Sequence, residues 1–302
     1  MKKLKQKIIE VMLIGTVLAP ASVAMGAYNE GAEERQTEAA AFEQLGLEQS
    51  AADENEELKL FSTLNNVQIA AGKDFTIVLK ADGSVWSWGN NEYGQLGSGT
   101  NEQERTPRQI MGLSDIIAVA AGPYHAFAVK NDGTVYSWGD NAYGQLGTGA
   151  KGDNEYSPVQ VKNLTNVVKI SAGRLHTAAV SSNGDLYVWG NNNRGQLGTG
   201  DQTERLLPEK AELENVIDAA AGGSHSGAVT SDGSVYMWGY NVDGQLGYDG
   251  SPQRLTPIKL KDMDNVRHIS AGMNNTAVIK GEGELYTWWT PTAAMPVTAA
   301  AL

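Results

Sequence analysis

The phrase W-G-x-N-x-x-G-Q-L-G is written four times in this chain, beginning at Trp88, Trp138, Trp189 and Trp238. A fifth tryptophan in step, Trp288, is followed by Trp289 where glycine is due, and the phrase stops there. A second marker, Ala-Gly, ends at Gly72, Gly122, Gly173, Gly222 and Gly272. Both markers advance by 50, 51, 49 and 50 residues. Two markers of different composition that keep step establish an internal repeat. A period near 50 confines the fold to stacked or radial arrays of one small unit.

Inside a unit the apolar residues alternate with the period of a strand, as in "HAFAVKNDGTVYSWG" from His125. Asp132-Gly133 separates two such runs, and Asp82-Gly83, Asn183-Gly184, Asp232-Gly233 and Glu282-Gly283 stand at that place in the other units. Asp-Gly or Asn-Gly between alternating runs signals a hairpin, because the favoured turns need positive φ. A further run precedes each Ala-Gly, for example "VVKISAG". Each unit therefore predicts three or four short strands and no helix. Small antiparallel sheets repeated at this period are blades of an all-β propeller. Ala-Gly belongs on the inner strand, where blades crowd towards an axis.

The repeated phrase reads as architecture. Its Trp and the Tyr two residues earlier share one strand face, suited to packing against a neighbouring blade. Asn91, Asn141, Asn192 and Asn241 suit a turn held by side-chain to backbone hydrogen bonds. Leu96, Leu146, Leu197 and Leu246 are expected to pin the loop onto its own blade. Polar stretches with proline, such as "NEQERTPRQI", read as an edge-strand entry into the next blade, since proline is tolerated at edges.

With those positions assigned, "AAGPYHAFAVKNDGTVYSWGDNAYGQLGTG" from Ala120 resembles the repeat of the regulator of chromosome condensation family, and the resemblance runs from about Leu60 to Trp288. It implies a β-propeller, usually of seven blades, here in a secreted bacterial member. The founder of the family is a chromatin-bound guanine-nucleotide exchange factor for Ran. A secreted bacterial relative with similar repeats, the propeller-type β-lactamase inhibitory protein, binds an enzyme through its propeller face. This chain departs in number, with four complete units and one incomplete. It is expected to form either a closed five-bladed ring or an open arc with exposed edges that favour association. The founder's exchange function depends on a hairpin insertion that would lengthen one repeat, whereas here no repeat exceeds its neighbours by more than two residues.

Outside the repeats, residues 1–27 read as a secretory signal. "MKKLKQKIIE" is basic, and the apolar run "VMLIGTVLAPASVA" is shorter than the roughly 18 residues that span a bilayer. Residues 28–57 read as an acidic flexible spacer, residues 58–290 as the propeller repeats and residues 291–302 as an irregular tail. The expected place is outside the cell or on its surface, without membrane insertion once the signal is removed. Net charge is -12, with +3 on residues 1–27 and -9 on residues 28–57. A mature chain so acidic is repelled by DNA and anionic lipid, so no nucleic-acid partner is expected. The absence of cysteine excludes disulfides, thiolate nucleophiles and Cys-ligated zinc.

Catalytic patterns are not met. His125, His176 and His225 share one repeat position, which Phe75 and Asn275 fill in the outer units. A metal ring would need ligands within about 4 Å of one another, and Phe75 cannot ligate. These histidines read as structural, each bonded to a neighbouring backbone, and His268 as incidental. "GTGAKG" at residues 147–152 opens no helix, so it fails as a dinucleotide loop. "GSHSG" at residues 223–227 carries His225 where a nucleophile elbow needs serine. No enzyme, metal or cofactor is expected. The internal copies differ instead in two short places. One gives Asp74, Tyr124 and Arg174, the residues just before the histidine position or its predecessor. The other is the slot two residues after the Asn, filled by Tyr93, Tyr143, Arg194 and Asp243. Tyr and Arg are enriched at interfaces, and propeller loops carry binding residues, so these seven are the predicted contacts for a protein partner.

Overall fold

The computed structural model describes residues 67–288, apart from 249 and 282, and the strand at 295–296. The signal, spacer and tail readings lie outside the described residues, save for that strand. Five four-stranded antiparallel sheets follow one another along the chain. Blade 1 holds β1 (Gln68–Ala71), β2 (Phe75–Leu79), β3 (Val85–Gly89) and β4 (Glu104–Gln109). Blade 2 holds β5 (Ile116–Ala121), β6 (His125–Lys130), β7 (Val135–Gly139) and β8 (Glu155–Gln160). Blade 3 holds β9 (Val167–Ala172), β10 (His176–Ser181), β11 (Leu186–Gly190) and β12 (Arg205–Lys210). Blade 4 holds β13 (Val216–Ala221), β14 (His225–Thr230), β15 (Val235–Tyr240) and β16 (Gln253–Lys259). Blade 5 holds β17 (Val266–Ala271), β18 (Thr276–Lys280), β19 (Glu284–Trp288) and β20 (Met295–Pro296). This is the β-propeller architecture that the repeat dictates.

The proline stretches differ from expectation. β4, β8, β12 and β16 do not enter the next blade; each is the outer strand of its own. Gln109 stands opposite Trp86 and Gln160 opposite Tyr136. The long loop after the Trp doubles the chain back along the strand it has just left. An outer strand has one neighbour, so Pro107 or Pro158 can sit there without removing a needed ladder bond. The hairpins also differ in type. Only the glycine has positive φ, 79° at Gly133, and Gly133 N donates to Lys130 O while Lys130 N donates to Thr134 O. This is a type I turn closed by a left-handed glycine, with Asp132 Oδ1 accepting Thr134 N at 2.9 Å.

The core lies between blades rather than within them. One buried cluster joins Ile77, Leu79 and Val85 of blade 1 to Val119, Ala128 and Trp138 of blade 2. Three further clusters join blades 2 and 3, 3 and 4, and 4 and 5 in the same way. Leu96, Leu197 and Leu246 lie in these seams beside the next blade's Trp, so the loop leucines fill the seam as well as tying the loop to its own blade. Near the axis, a Cβ on Gly122 would sit 2.6 Å from Gly173 O, and one on Gly173 2.7 Å from Gly222 O. Those approaches require glycine, which accounts for the Ala-Gly marker. Among the described residues blades 1 and 5 do not pack against each other as successive blades do. The outward side of blade 5 shows the consequence. Ile279 and Leu285 are half-buried, whereas Leu79, Val129, Val85 and Val135 at the same places are fully buried.

Candidate protein-binding face

The repeated loop is held by a fixed hydrogen-bond set. Asn91 Oδ1 accepts Leu96 N at 2.9 Å, and Asn91 Nδ2 donates to the carbonyls of Thr100 and Glu102 at 2.8 and 2.9 Å. Asn141, Asn192 and Asn241 repeat the bond to the leucine amide. Gln95 Oε1 accepts Tyr93 N at 2.9 Å, and the equivalent glutamines hold the amides of Tyr143, Arg194 and Asp243 at 2.8 to 2.9 Å. The variable slot therefore has a fixed backbone and an unconstrained side chain. That combination presents different chemistry on a rigid scaffold.

The same loop reaches the next blade. Trp138 Nε1 donates to Gln95 O at 2.9 Å, and Trp189, Trp238 and Trp288 donate to Gln145, Gln196 and Gln245 carbonyls at 2.7, 2.8 and 2.8 Å. Thr177, Ser226 and Thr276 hydroxyls join them on those carbonyls at 3.0, 2.8 and 2.8 Å. Sequence reasoning assigned Trp88, Trp138, Trp189 and Trp238 to packing and missed this clamp, because its acceptor is backbone. The recurrence of Thr or Ser two residues after the Ala-Gly-x-x position was the available signal.

All seven predicted contacts stand at one end of the blades, since the Ala-Gly turn and the long loop leave the sheet at the same end: Phe75 stands opposite Gly89, and His125 opposite Gly139. Two of them meet. The rings of Tyr93 and Tyr124, from blades 1 and 2, lie 4.9 Å apart. Lys73 Nζ donates to Tyr124 Oη at 2.9 Å and lies 5.3 Å from its ring, and this bond raises the lysine pKa. Lys73 was not among the expected contacts. Arg194 stacks over Tyr240 with its guanidinium 5.1 Å from the ring. Tyr143 and Arg174 are exposed, Asp74 is exposed with φ 62°, and Asp243 is half-buried. No side-chain hydrogen bond, ion pair or ring stacking joins these four to the tyrosine pair among the described residues.

The histidines lie in the seams. His125, His176 and His225 are fully buried. His176 Nε2 meets Ser226 Oγ at 2.7 Å and His225 Nε2 meets Thr276 Oγ1 at 2.9 Å, so each has a hydroxyl partner on the next blade. Each hydroxyl spends its one hydrogen on a glutamine carbonyl, so each imidazole Nε2 must donate. The Nδ1 atoms and both nitrogens of His125 have no partner among the described residues. Burial pushes the His125 and His176 pKa values down to about 3 and that of His225 to about 4. His268 is not idle: its Nδ1 lies 3.3 Å from Asp218 Oδ2, and Lys169 Nζ reaches Asp218 Oδ1 at 3.1 Å. These three residues form a polar row across successive inner strands. No group of residues fit to hold a metal occurs among the described residues.

The comparisons with known proteins agree with this arrangement. The RCC1-like domain matches residues 39–290. The chain belongs to the RCC1-like domain family. Human WBSCR16 is similar in structure, with a TM-score of 0.65 at 26% identity, covering 74% of this chain and 61% of that one. Yeast RCC1, Prp20, in its complex with Kap60, gives 0.65 at 27% identity, covering 73% and 55%. The ultraviolet-B receptor UVR8 of Arabidopsis thaliana is 36% identical over 143 residues, 47% of this chain and 21% of the receptor. The human E3 ubiquitin-protein ligase HERC2 is 30% identical over 138 residues, 45% of this chain and 3% of the ligase. The chain thus spans about a fifth or less of these two curated relatives. RCC1-like propellers are mostly binding and regulatory modules rather than catalysts, although HERC2 is named as a ligase. The RCC1-like chain here carries the corresponding blade scaffold with its own set of loop side chains.

Proposed function

We propose that this chain is a non-catalytic propeller that holds a protein partner on its loop end and does so outside the cell or at its surface. The observation that carries the reading is the Lys73, Tyr93 and Tyr124 cluster. It is a partly exposed aromatic pair with a cation, built from two blades, with the Tyr93 backbone fixed by Asn91 and Gln95 and the Lys73 and Tyr124 turns held by backbone hydrogen bonds. Aromatic anchors of this kind supply large contact area at small entropic cost. The extracellular setting rests on the basic and apolar pattern of residues 1–27. Capture from an extracellular fraction by the full chain tests the reading. A Tyr93→Ala, Tyr124→Ala, Arg174→Ala variant with unchanged circular dichroism is expected to lose the captured protein. Undiminished capture would overturn the site.

A second reading is regulation of a small GTPase by nucleotide exchange. Its support is the similarity to Prp20, whose binding to Gsp1p and histones has been described for that protein. The acidic charge and the even repeat lengths weigh against it. Stimulated nucleotide release from a Ran-type GTPase by the full chain would place this reading first.

A further inference from the structure

The four seams share their apolar packing but not the polar links along their axial side. Three kinds of link occur there. The first joins successive Ala-Gly turns. Lys73 N donates to Pro123 O at 3.0 Å, Arg174 N to Gly222 O at 3.0 Å and Gly223 N to Gly272 O at 3.1 Å. The second runs from one inner strand to the backbone of the next. Gln68 bonds Ile117 O and Val119 N, each at 3.1 Å, Ser171 Oγ accepts Ala221 N at 3.0 Å and Asp218 Oδ2 accepts Ile269 N at 3.2 Å. The third is the imidazole to hydroxyl bond of His176 and His225. The seam between blades 1 and 2 has the first two, and the seams between blades 3, 4 and 5 have all three.

The seam between blades 2 and 3 has none of them among the described residues. Its turn donor is replaced by Pro123, which has no N–H, so Gly173 O goes without the bond that Gly222 O receives. Ala118 and Ala120 stand at the places of Gln68 and Ser171, and an alanine side chain has no polar atom. His125 is fully buried with neither ring nitrogen bonded, although Thr177 fills the hydroxyl place. The polar links that remain lie elsewhere. Trp189 Nε1 and Thr177 Oγ1 meet on Gln145 O, and Gly149 N donates to Leu206 O of the outer strand at 2.9 Å. Val167 N reaches Gly133 O at 3.1 Å, at the hairpin end. None of these ties β5 to β9 at the loop end.

We propose that the seam between blades 2 and 3 is a joint. Blades 1 and 2 swing as one body against blades 3 to 5, and the seam opens on its axial side at the loop end. A buried polar group without a partner carries a desolvation penalty that water removes. His125 and the buried Gly173 carry two such groups to this corner, so opening is favoured there and nowhere else along the axis. The two groups are close together: a Cβ on Gly122 would lie 2.6 Å from Gly173 O and 2.8 Å from His125 Nδ1. The apolar cluster of Ala120, Phe127, Ile170 and Trp189 draws the seam shut again, and the bonds at Gln145, Leu206 and Gly133 keep the two bodies attached. The joint is independent of the proposed partner binding. Tyr124 and Arg174 stand on opposite sides of it, so its motion alters the spacing of that face.

The chain has no cysteine, so pairs of spin labels on introduced cysteines measure the motion directly in the full chain. Gln109, Gln160, Lys210 and Lys259 are exposed and hold one place on successive outer strands. The Gln160→Cys, Lys210→Cys pair is expected to give a distance distribution about twice as broad as the Gln109→Cys, Gln160→Cys and Lys210→Cys, Lys259→Cys pairs. In the unaltered chain, histidine modification by diethyl pyrocarbonate, read by mass spectrometry, reports the same opening. His125 is expected to react at least about tenfold faster than His176 and His225, with half-buried His268 as the accessible reference. Grafting the blade 1 residues, Ala118→Gln with Pro123→Lys, is expected to narrow the distribution and slow His125 to the rate of His176. Equal widths for the three pairs, or equal rates for the three buried histidines, would overturn the proposal. A folded graft that leaves both measurements unchanged would overturn it too.

Discussion

The seam between blades 1 and 2 and the seam between blades 3 and 4 share a backbone but differ in chemistry. In the first, Phe75 stands at the histidine position and Ala126 at the hydroxyl position, so Trp138 alone donates to the Gln95 carbonyl. In the second, His176 donates to Ser226, and Ser226 and Trp238 both donate to the Gln196 carbonyl. Both seams are fully buried. The apolar contacts and one indole bond are therefore sufficient to join two blades. The histidine and hydroxyl relay is an addition, and it makes its seams sensitive to acid where the first is not.

The largest test of that contrast is pH. Each buried imidazole titrates near 6.5 when the chain is unfolded and only near 3 to 4 when folded. On acidification the unfolded chain binds protons first. Stability is full above about pH 6.5 and is lost as pH falls towards 4, by up to about 4 kcal/mol per pH unit for three histidines. Urea unfolding across this range measures the slope. His176→Gln should reduce it by about a third, and amides in the first seam should be the last to open. A flat profile from pH 6.5 to 4.5 would contradict the burial of neutral imidazoles in these seams.

A smaller effect separates the two tryptophans. Trp138→Ala and Trp238→Ala should each cost about 3–5 kcal/mol through lost packing. Trp138→Ala should cost about 1 kcal/mol more, because it leaves the Gln95 carbonyl without a donor while Ser226 still serves Gln196. Equal losses in denaturant unfolding would show that the indole bond contributes little beyond burial. Smallest is the graft of the missing hydroxyl. Ala126→Ser should stabilise the first seam by about 0.5–1 kcal/mol, seen as a higher urea midpoint with unchanged slope. A loss of stability would mean that the two seams differ in spacing as well as in chemistry.

The repeat made the architecture legible, because tryptophan, glycine and Ala-Gly are demanded by geometry that recurs at every blade. The outer strands were harder to read. "ERTPRQ" is polar and exposed nearly throughout, so no alternation marks it as part of the blade before rather than the blade after. The clamps were illegible at the acceptor, which is a main-chain carbonyl. At the candidate face the register placed Tyr93 and Tyr124 at one end of the blades. Their contact could not be read, because it depends on how two loops from different units lean together. Lys73 shares its place and its positive charge with Arg174, which was singled out, but Pro123, Gly223 and Met273 fill that place in the other copies, and in the first copy the neighbouring Asp74 was read as the contact instead.

The glutamine carbonyl always accepts from the blade that follows, never from the one before. Each unit is thus a monomer with unlike head and tail, joined by the same coupling at every step. A duplicated or deleted stretch of about 50 codons leaves every other joint chemically unchanged. Blade number in such a chain is free to drift by recombination, while the loop side chains diversify one at a time.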